Sequence, residues 1–304
     1  LKETGVRDIW VECHPDSLQG DTSSFVQRLR ELSEEHRLFP ISGDMELLAA
    51  IIRDSPAIGR IVLKGCEASG FVSAETTMAL YAMVKEMLPI PSRPLDILIW
   101  GGVFTPEAAA AFLTTGVAGI VFESVHWLTD MVVIDDDQRQ RLARLRLDSS
   151  ELVGLNVQVP CRLFNKGNSL AFKEIKTFED TLYETEISGE NRRAFASRVH
   201  AGSIHPLESR FGQDEVIPLG VEAAFAASFV ERFGAGTAEA VKAFMDAIRN
   251  ACRLADAKKD WFLESPTAGE MGTLYPFIQG AMSWITDVPE FASRVADAGG
   301  LPTI

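Results

Sequence analysis

The sequence has few cysteines, and none of them stands in the spacing of a metal site. Cys13, Cys66, Cys161 and Cys252 are far apart in a chain of 304 residues, and no CxxC or Cys/His pattern is present. Buried free thiols in a reducing compartment are the expected state of such cysteines. We therefore predict a cytoplasmic protein that binds no metal.

Long apolar runs and positive charge are also scarce. No run approaches the roughly 20 apolar residues of a membrane-spanning helix, and the first residues do not form a signal-peptide pattern. The chain has 29 Lys and Arg against 43 Asp and Glu, a net charge of −14. Such a surface repels nucleic acid and anionic lipid, so we expect neither as a partner. A small anionic ligand remains compatible, because helix N-termini bind phosphate groups locally.

The first part of the chain alternates short apolar runs with amphipathic segments. Strands are predicted at 8–13, 38–42, 60–64, 96–100 and 119–123, with helices between them at 24–36, 45–54, 74–87 and from 105 onward. Apolar strands separated by helices indicate a buried parallel sheet. A TIM-type (β/α) barrel has eight such strands, so five predict an α/β fold with a partial barrel.

The pattern changes after about residue 134. Helices are predicted at 138–147, 190–200, 217–233 and 237–258, with an extended stretch at 152–160. A new strand at 275–282 and a helix at 287–298 follow, and both chain ends look like cuts in a longer protein. We predict three parts: 1–134, the C-terminal half of a barrel; 135–272, a mixed, mainly helical connector; and 273–304, the start of a second barrel.

Glycine-rich turns accompany the later strands of the predicted sheet. Residues 64–70 (KGCEASG) follow the third strand, Gly101 and Gly102 follow the fourth, and residues 116–119 adjoin the fifth. Small residues at the carboxyl ends of barrel strands let a flat ring or a phosphate group approach the backbone. The competing interpretation is that tight turns simply need glycine, and both stay open. We expect the three turns to lie on one rim of the sheet.

These turns resemble those of the nitronate monooxygenase and 2-nitropropane dioxygenase family, which includes FMN-dependent enoyl reductases. Residues 65–70 are similar to the family's Gly-x-Glu-Ala-Gly-Gly-His turn, 101–103 to its Gly-Gly-Ile turn, and 116–120 to its Gly-Ala-x-Gly-Val turn. Residues 279–282 and 298–301 resemble the opening of the same barrel. The resemblance thus implies a fragment that spans two tandem copies.

The resemblance implies FMN as the cofactor, NAD(P)H as the reductant, and either enoyl reduction or nitronate oxidation as the reaction. The positions that it assigns to cofactor binding are Lys64, Gly65, Glu67, Gly70, Gly101, Gly102, Gly119, Ser124, Gln279, Gly280 and Met282. For Lys64 and Glu67, the competing interpretations are a surface lysine and a carboxylate bonded to backbone.

The connector also resembles segments of polyketide and polyunsaturated fatty acid synthases, in FNKGNS at 164–169 and PLESRFG at 206–212. This resemblance implies a barrel that acts on enoyl chains held by an acyl carrier domain, or on a small-molecule substrate. Its other partners would be the neighbouring synthase domains.

Two positions depart from the family pattern. Phe71 stands where the family has its catalytic histidine, and a phenyl ring cannot transfer a proton. Glu123 stands where the family has a glycine beside the FMN phosphate, which a carboxylate repels unless it turns away. His14 is the remaining candidate for proton transfer and His126 a similar one, each with a structural role as the competing interpretation. The alternative function is a catalytically degenerate barrel that serves as a scaffold in the synthase.

Overall fold

The computed structural model describes residues 7–13, 22–87, 94–166, 169–182, 187–263, 265–281 and 288–303. The chain forms two compact units, Leu1–Ile248 and Arg249–Ile304. Within the described ranges, no helix combines the length and the apolar character that crossing a membrane requires.

A five-stranded parallel sheet forms the centre of the first unit, which confirms the predicted α/β fold. The strands of this unit are β1 (Asp8–Glu12), β2 (Arg37–Ser42), β3 (Arg60–Lys64), β4 (Gly70–Phe71), β5 (Asp96–Trp100), β6 (Gly119–Val121), β7 (Ser150–Val153) and β8 (Cys161–Phe164). The parallel sheet has the order β1-β2-β3-β5-β6. Because β3 is central and covered on both sides, it is buried from Ile61 to Lys64.

Helices connect the parallel strands and continue beyond them. They are α1 (Thr22–Ser33), α2 (Met45–Asp54), α3 (Thr77–Met87), α4 (Pro106–Thr114), α5 (Asp136–Ala143), α6 (Leu170–Leu182), α7 (Gly189–Gly202), α8 (Ala226–Phe233) and α9 (Thr237–Ala257). Asp44 caps α2 by accepting a hydrogen bond from the backbone of Leu47 at 3.0 Å. Pro106 occupies the first position of α4, where a missing N–H has no consequence. The caps therefore start both helices where the sequence predicts.

Two strands of the predicted connector, β7 and β8, form a small antiparallel sheet with β4 from the predicted barrel part, in the order β4-β8-β7. β4 emerges directly from the first glycine turn and pairs with β8, with Gly70 opposite Arg162 and Phe71 opposite Cys161. A separate core lies against this sheet, and Phe195, Ile175 and other apolar side chains of α6 and α7 belong to it. The long stretch predicted as extended at 152–160 is therefore limited to the end of β7, after which the chain turns.

The single helix predicted at 217–233 is wrong at its start. Ile217 accepts a hydrogen bond from the backbone of Phe164 at 2.8 Å, and Pro218 bridges Leu163, so this stretch is extended. A 3₁₀ turn covers Val221–Phe225, and α8 begins only at Ala226. Proline lacks a donor and disfavours helix for the preceding residue, and glycine at 220 weakens helix further.

The second unit contains α10 (Pro266–Met271) and α11 (Pro289–Asp297). A strand is predicted at 275–282, but its described residues, up to 281, form only an isolated parallel bridge. This bridge joins Ile278, which precedes α11, to Leu301, which follows it. The backbone of Leu301 donates to Phe277 at 2.8 Å. Met282 lies outside the described residues. The predicted part boundaries after 134 and 272 stay predictions.

Candidate functional site

The carboxyl ends of β1, β3 and β5 and the residues that follow β6 surround a cavity of about 490 Å³. Small-molecule pockets commonly measure about 300–1,000 Å³, so this one is large enough for a ligand. Its polar and aromatic lining includes Glu12, Lys64, Ser69, Phe71, Trp100 and Glu123. No group of three or more His, Cys, Asp or Glu side chains within the described ranges is arranged to hold a metal ion.

Lys64 is a fixed cation in this cavity and not a surface lysine. The residue is only 4% exposed, and its Nζ lies 2.5 Å from Oε1 of Glu12 at the end of β1. The same Nζ lies 4.5 Å from the centre of the Trp100 ring, a distance at which an ammonium group is attracted to an aromatic face. The positive charge therefore has two partners that hold it in one place.

The first glycine turn packs tightly against the start of α3. Oε2 of Glu67 accepts hydrogen bonds from the backbone N–H of Thr77 at 2.9 Å and from its hydroxyl at 2.8 Å. A Cβ added to Gly65 would lie 2.0 Å from Oγ1 of Thr77, and one added to Gly101 would lie 2.8 Å from it. Close packing with α3 thus accounts for both glycines, and Glu67 is bonded to backbone.

Glu222 reaches the second glycine turn from the 3₁₀ segment and is the most deeply buried carboxyl group of the site. Its Oε1 accepts a hydrogen bond from the backbone N–H of Val103 at 3.2 Å. The residue is 0% exposed, and its Oε2 has no hydrogen-bond partner among the described residues. Burial, followed by the charges of Glu123 and Glu67, raises the pKa of Glu222 well above its usual value. The hydrogen bond from the backbone of Val103 opposes this rise.

Glu123 turns into the cavity. Its Oε2 accepts a hydrogen bond from the indole N–H of Trp100 at 2.8 Å, and its Oε1 accepts one from the hydroxyl of Ser69. The side chain thus joins the turns that follow β3 and β5. Next to it, Ser124 is fully buried, and its hydroxyl has no partner in the described part of the chain.

The third glycine turn lies elsewhere, and the expectation that all three share one rim is wrong. Gly119 is the first residue of β6 and stands opposite Leu98 within the sheet. Gly116 precedes it at the amino end of the strand, near the Tyr81 hydroxyl, which donates to the carbonyl of Thr115 at 2.9 Å. The turn comes before its strand, whereas the other two follow theirs.

His126, a predicted candidate for proton transfer, does not line the described cavity, whereas His200 and His205 do. Phe71 pairs with Cys161 in β4 and packs against the core beneath the small sheet. His126 stacks on Phe122 with ring centres 5.2 Å apart, and burial lowers its pKa. His14 lies outside the described residues.

The remaining cofactor candidates belong to the second unit. Gln279 accepts a hydrogen bond from the backbone of Thr303 at 3.3 Å through Oε1, and Gly280 is exposed. Their role in cofactor binding stays a prediction.

Sequence reasoning missed two side chains that organise the rim. Arg162 pairs with Gly70 across the small sheet, and its Nε donates to the carbonyl of Cys66. Glu222 is the other. A single acidic residue inside the apolar run LGVEAAFAA was the available signal, because charged residues are seldom fully buried without a reason.

The turn at Gly101 and Gly102, which the resemblance assigns to cofactor binding, does not fit a phosphate group in this arrangement. The N–H of Val103 is already engaged by Glu222, and Glu123 and Glu67 lie near enough to raise the pKa of that carboxyl. A further anion would meet these acidic groups without a free donor at Val103, which is unfavourable at short range.

Comparisons with known proteins find likenesses among solved structures. No family model and no curated protein matches the chain. FabK from Thermotoga maritima aligns over 84% of this chain and 72% of its own, with 12% identity and a TM-score of 0.60. The enoyl reductase domain of MlnA, from the macrolactin biosynthesis cluster of Bacillus amyloliquefaciens, aligns over 74% and 70%, with 14% identity and a TM-score of 0.50. The chain therefore shares its α/β fold with these two proteins, in agreement with the predicted partial barrel.

Proposed function

We propose that the chain is a segment of an oxidoreductase of the enoyl reductase type. The observation that carries this proposal is the likeness of the fold to FabK and to an enoyl reductase domain, over 70% or more of each of those chains. The glycine turns after β3 and β5, which resemble those of FMN-dependent enoyl reductases, support the same conclusion. FMN and NAD(P)H belong to this proposal as cofactor and reductant of the parent protein.

The proposed substrate is an enoyl chain on an acyl carrier domain, inside a polyketide or polyunsaturated fatty acid synthase. The cavity at the carboxyl ends of β1, β3 and β5, here called the rim cavity, suits a ligand with an apolar body and one polar end. The rings of Phe71 and Trp100 line it beside the positive charge of Lys64. The flavin itself is assigned to a complete barrel of the parent, since the second turn of this unit does not fit a phosphate group.

The test uses the full-length parent. We expect a flavin absorbance spectrum and NAD(P)H-dependent reduction of an enoyl thioester, with little turnover of a nitronate. A parent that contains no flavin would contradict the proposal. If the parent oxidises a nitronate efficiently and does not reduce the enoyl thioester, the proposed reaction is wrong, but the proposed flavin cofactor stands.

A scaffold role for the first unit is the second candidate. Phe71 at the position of the histidine, and Glu222 on the N–H of Val103, are the observations that favour it. The variant Lys64→Met in the parent separates the two. If the rim cavity binds substrate, kcat/KM falls by about tenfold or more, which is the effect of losing one charged contact. If the unit is a scaffold, kcat/KM stays unchanged.

A further inference from the structure

We propose that the first unit binds the apolar tail of the enoyl chain in a second cavity, and that Phe71 is the apolar surface between this cavity and the rim cavity. The second cavity, here called the tail cavity, is lined by the end of β2, by β4 and by the turn before β8. This inference rests on the proposed function for the identity of the ligand. It adds where the chain extends beyond its reacting end.

The tail cavity has the size and the lining of a site for an apolar group. Its volume is about 310 Å³. An apolar cavity of about 150 Å³ holds a benzene ring, so this one has room for roughly twelve carbon atoms. Apolar side chains line it from β2, from α2 and from the turn before β8: Ile41, Met45, Leu47, Leu155, Val159 and Pro160. Transfer of an aliphatic chain from water into such a lining is favourable.

The charged groups of the tail cavity favour a neutral ligand. Glu12, Asp44 and Glu75 line it, and Lys64 is the one cation that lines it among the described residues. The Nζ of Lys64 already lies 2.5 Å from Glu12, and Asp44 accepts the backbone N–H of Leu47. A phosphate or carboxylate group would meet an excess of negative charge there. The tail of an acyl chain carries no charge and avoids this repulsion.

The two cavities share a wall. Phe71, Lys64 and Glu12 line both of them, so a ligand with its thioester in the rim cavity can extend its tail into the tail cavity beside the Phe71 ring. A phenyl ring gives the chain an apolar surface at this point. A histidine there would instead present ring nitrogens that need hydrogen-bond partners. Phe71 therefore suits the passage of an aliphatic chain.

Backbone contacts hold the walls of the tail cavity together. The N–H of Val72 donates to the carbonyl of Pro160 at 3.0 Å, and the N–H of Ser73 donates to the carbonyl of Lys64 at 2.9 Å. Gly43 packs against the same backbone, since an added Cβ would lie 2.2 Å from the nitrogen of Ser73. Because these walls are in place before a ligand arrives, binding requires little rearrangement of the chain.

The test measures by calorimetry how tightly the purified chain binds two neutral enoyl thioesters. The probes are the butenoyl and decenoyl thioesters of N-acetylcysteamine, which differ only in the length of the tail. We expect the wild-type chain to bind the decenoyl thioester at least about tenfold more tightly, the equivalent of about 1.4 kcal/mol. Equal dissociation constants for the two probes would overturn the tail cavity.

Two variants test the tail cavity by different routes. Leu155→Asp adds a carboxylate to the lining at a side chain that is 48% exposed, so the fold tolerates the change. Phe71→His keeps a ring and makes the shared wall polar. We expect each variant to lose most of the preference for the decenoyl thioester. Leu170→Asp is the matched control, because Leu170 is also 48% exposed and lines neither cavity; it should keep the preference.

A folded Leu155→Asp variant, checked by circular dichroism, that keeps the full preference would overturn the tail cavity. Loss of the preference in the Leu170→Asp control would do the same. If only Phe71→His keeps it, the role of Phe71 is wrong. The titration contains no flavin and no NAD(P)H, so a parent without flavin would refute the proposed reaction alone, and equal affinities for the two thioesters would refute the tail cavity alone.

Discussion

Three acidic side chains, Glu67, Glu123 and Glu222, lie near one another at the rim of the sheet, and each is held differently. Glu67 caps α3 through Thr77, and Glu123 accepts the indole N–H of Trp100. Glu222 alone is fully buried. At the scale of single residues, the ionisation of Glu222 is therefore coupled to folding.

The first prediction concerns Glu222 and pH. Its pKa is raised in the folded chain above the usual 4.5, mainly by burial, so the neutral form favours the folded state. This contribution is complete below about pH 4.5 and is lost as the pH rises through the folded pKa, by about 1.4 kcal/mol per pKa unit. As the pH rises through that range, we expect the free energy of unfolding to fall less for Glu222→Gln than for the wild-type chain. Urea unfolding at a series of pH values measures this, and equal slopes would refute it.

The second prediction concerns Lys64 and Glu12. The Lys64 side chain is 5% exposed and that of Glu12 is 40% exposed, so Glu12 can be hydrated without its partner but Lys64 cannot. Glu12→Gln should therefore lower the free energy of unfolding by about 1–3 kcal/mol more than Lys64→Met does. Urea titration of both variants and of the double variant measures the difference, and the reverse order would show that the pair is not held as described.

At the scale of elements, the glycine turns control how closely α3 approaches the sheet. The third prediction is that Gly65→Ala lowers the free energy of unfolding by about 3 kcal/mol or more, because the added Cβ would meet the backbone of Thr77 as well as its hydroxyl. Gly59→Ala is the control: nothing lies within 4 Å of its added Cβ. We expect that variant to stay within about 0.5 kcal/mol of wild type. Similar losses at both positions would contradict the packing argument.

Elements with strong local signals could be predicted from the sequence. The bounds of α2, β3 and β5 coincide with the predicted ones, because the Asp44 cap and the uninterrupted apolar runs act within a few residues. β4 and β8 could not be paired in advance, since nothing near Gly70 indicates a partner as distant as Arg162.

The candidate site follows the same division. The rim positions of the turns at 65–70 and 101–102 could be predicted, because both follow a strand in the sequence. Glu222 could not, because its place depends on the contact of Val221 with Glu67 and on a helix that starts later than its apolar pattern suggests.

At the scale of the whole molecule, the buried thiol of Cys161 reports on unfolding of the first unit. All four cysteines are free; burial raises the pKa of the Cys161 thiol, and it raises that of Cys13 to about 12. Since the thiolate is the reactive form, the fourth prediction is that Cys161, which is fully buried, reacts with a thiol reagent only on unfolding of the first unit, whereas the partly exposed Cys13 reacts earlier. Peptide mapping after timed labelling in urea measures this. Early labelling of Cys161 would mean that the small sheet opens separately.

The pairing of β4 with β8 has a practical consequence for anyone who exchanges barrels between such proteins. A crossover placed after residue 134 would transfer Phe71 and Val72 without the chain segment that they pair with. The 3.0 Å hydrogen bond from the backbone N–H of Val72 to the carbonyl of Pro160 would be lost as well. The donor turn would then present unpaired main-chain groups beside the cavity. A graft that carries residues 150–164 along with the barrel keeps the pairing of β4 with β8.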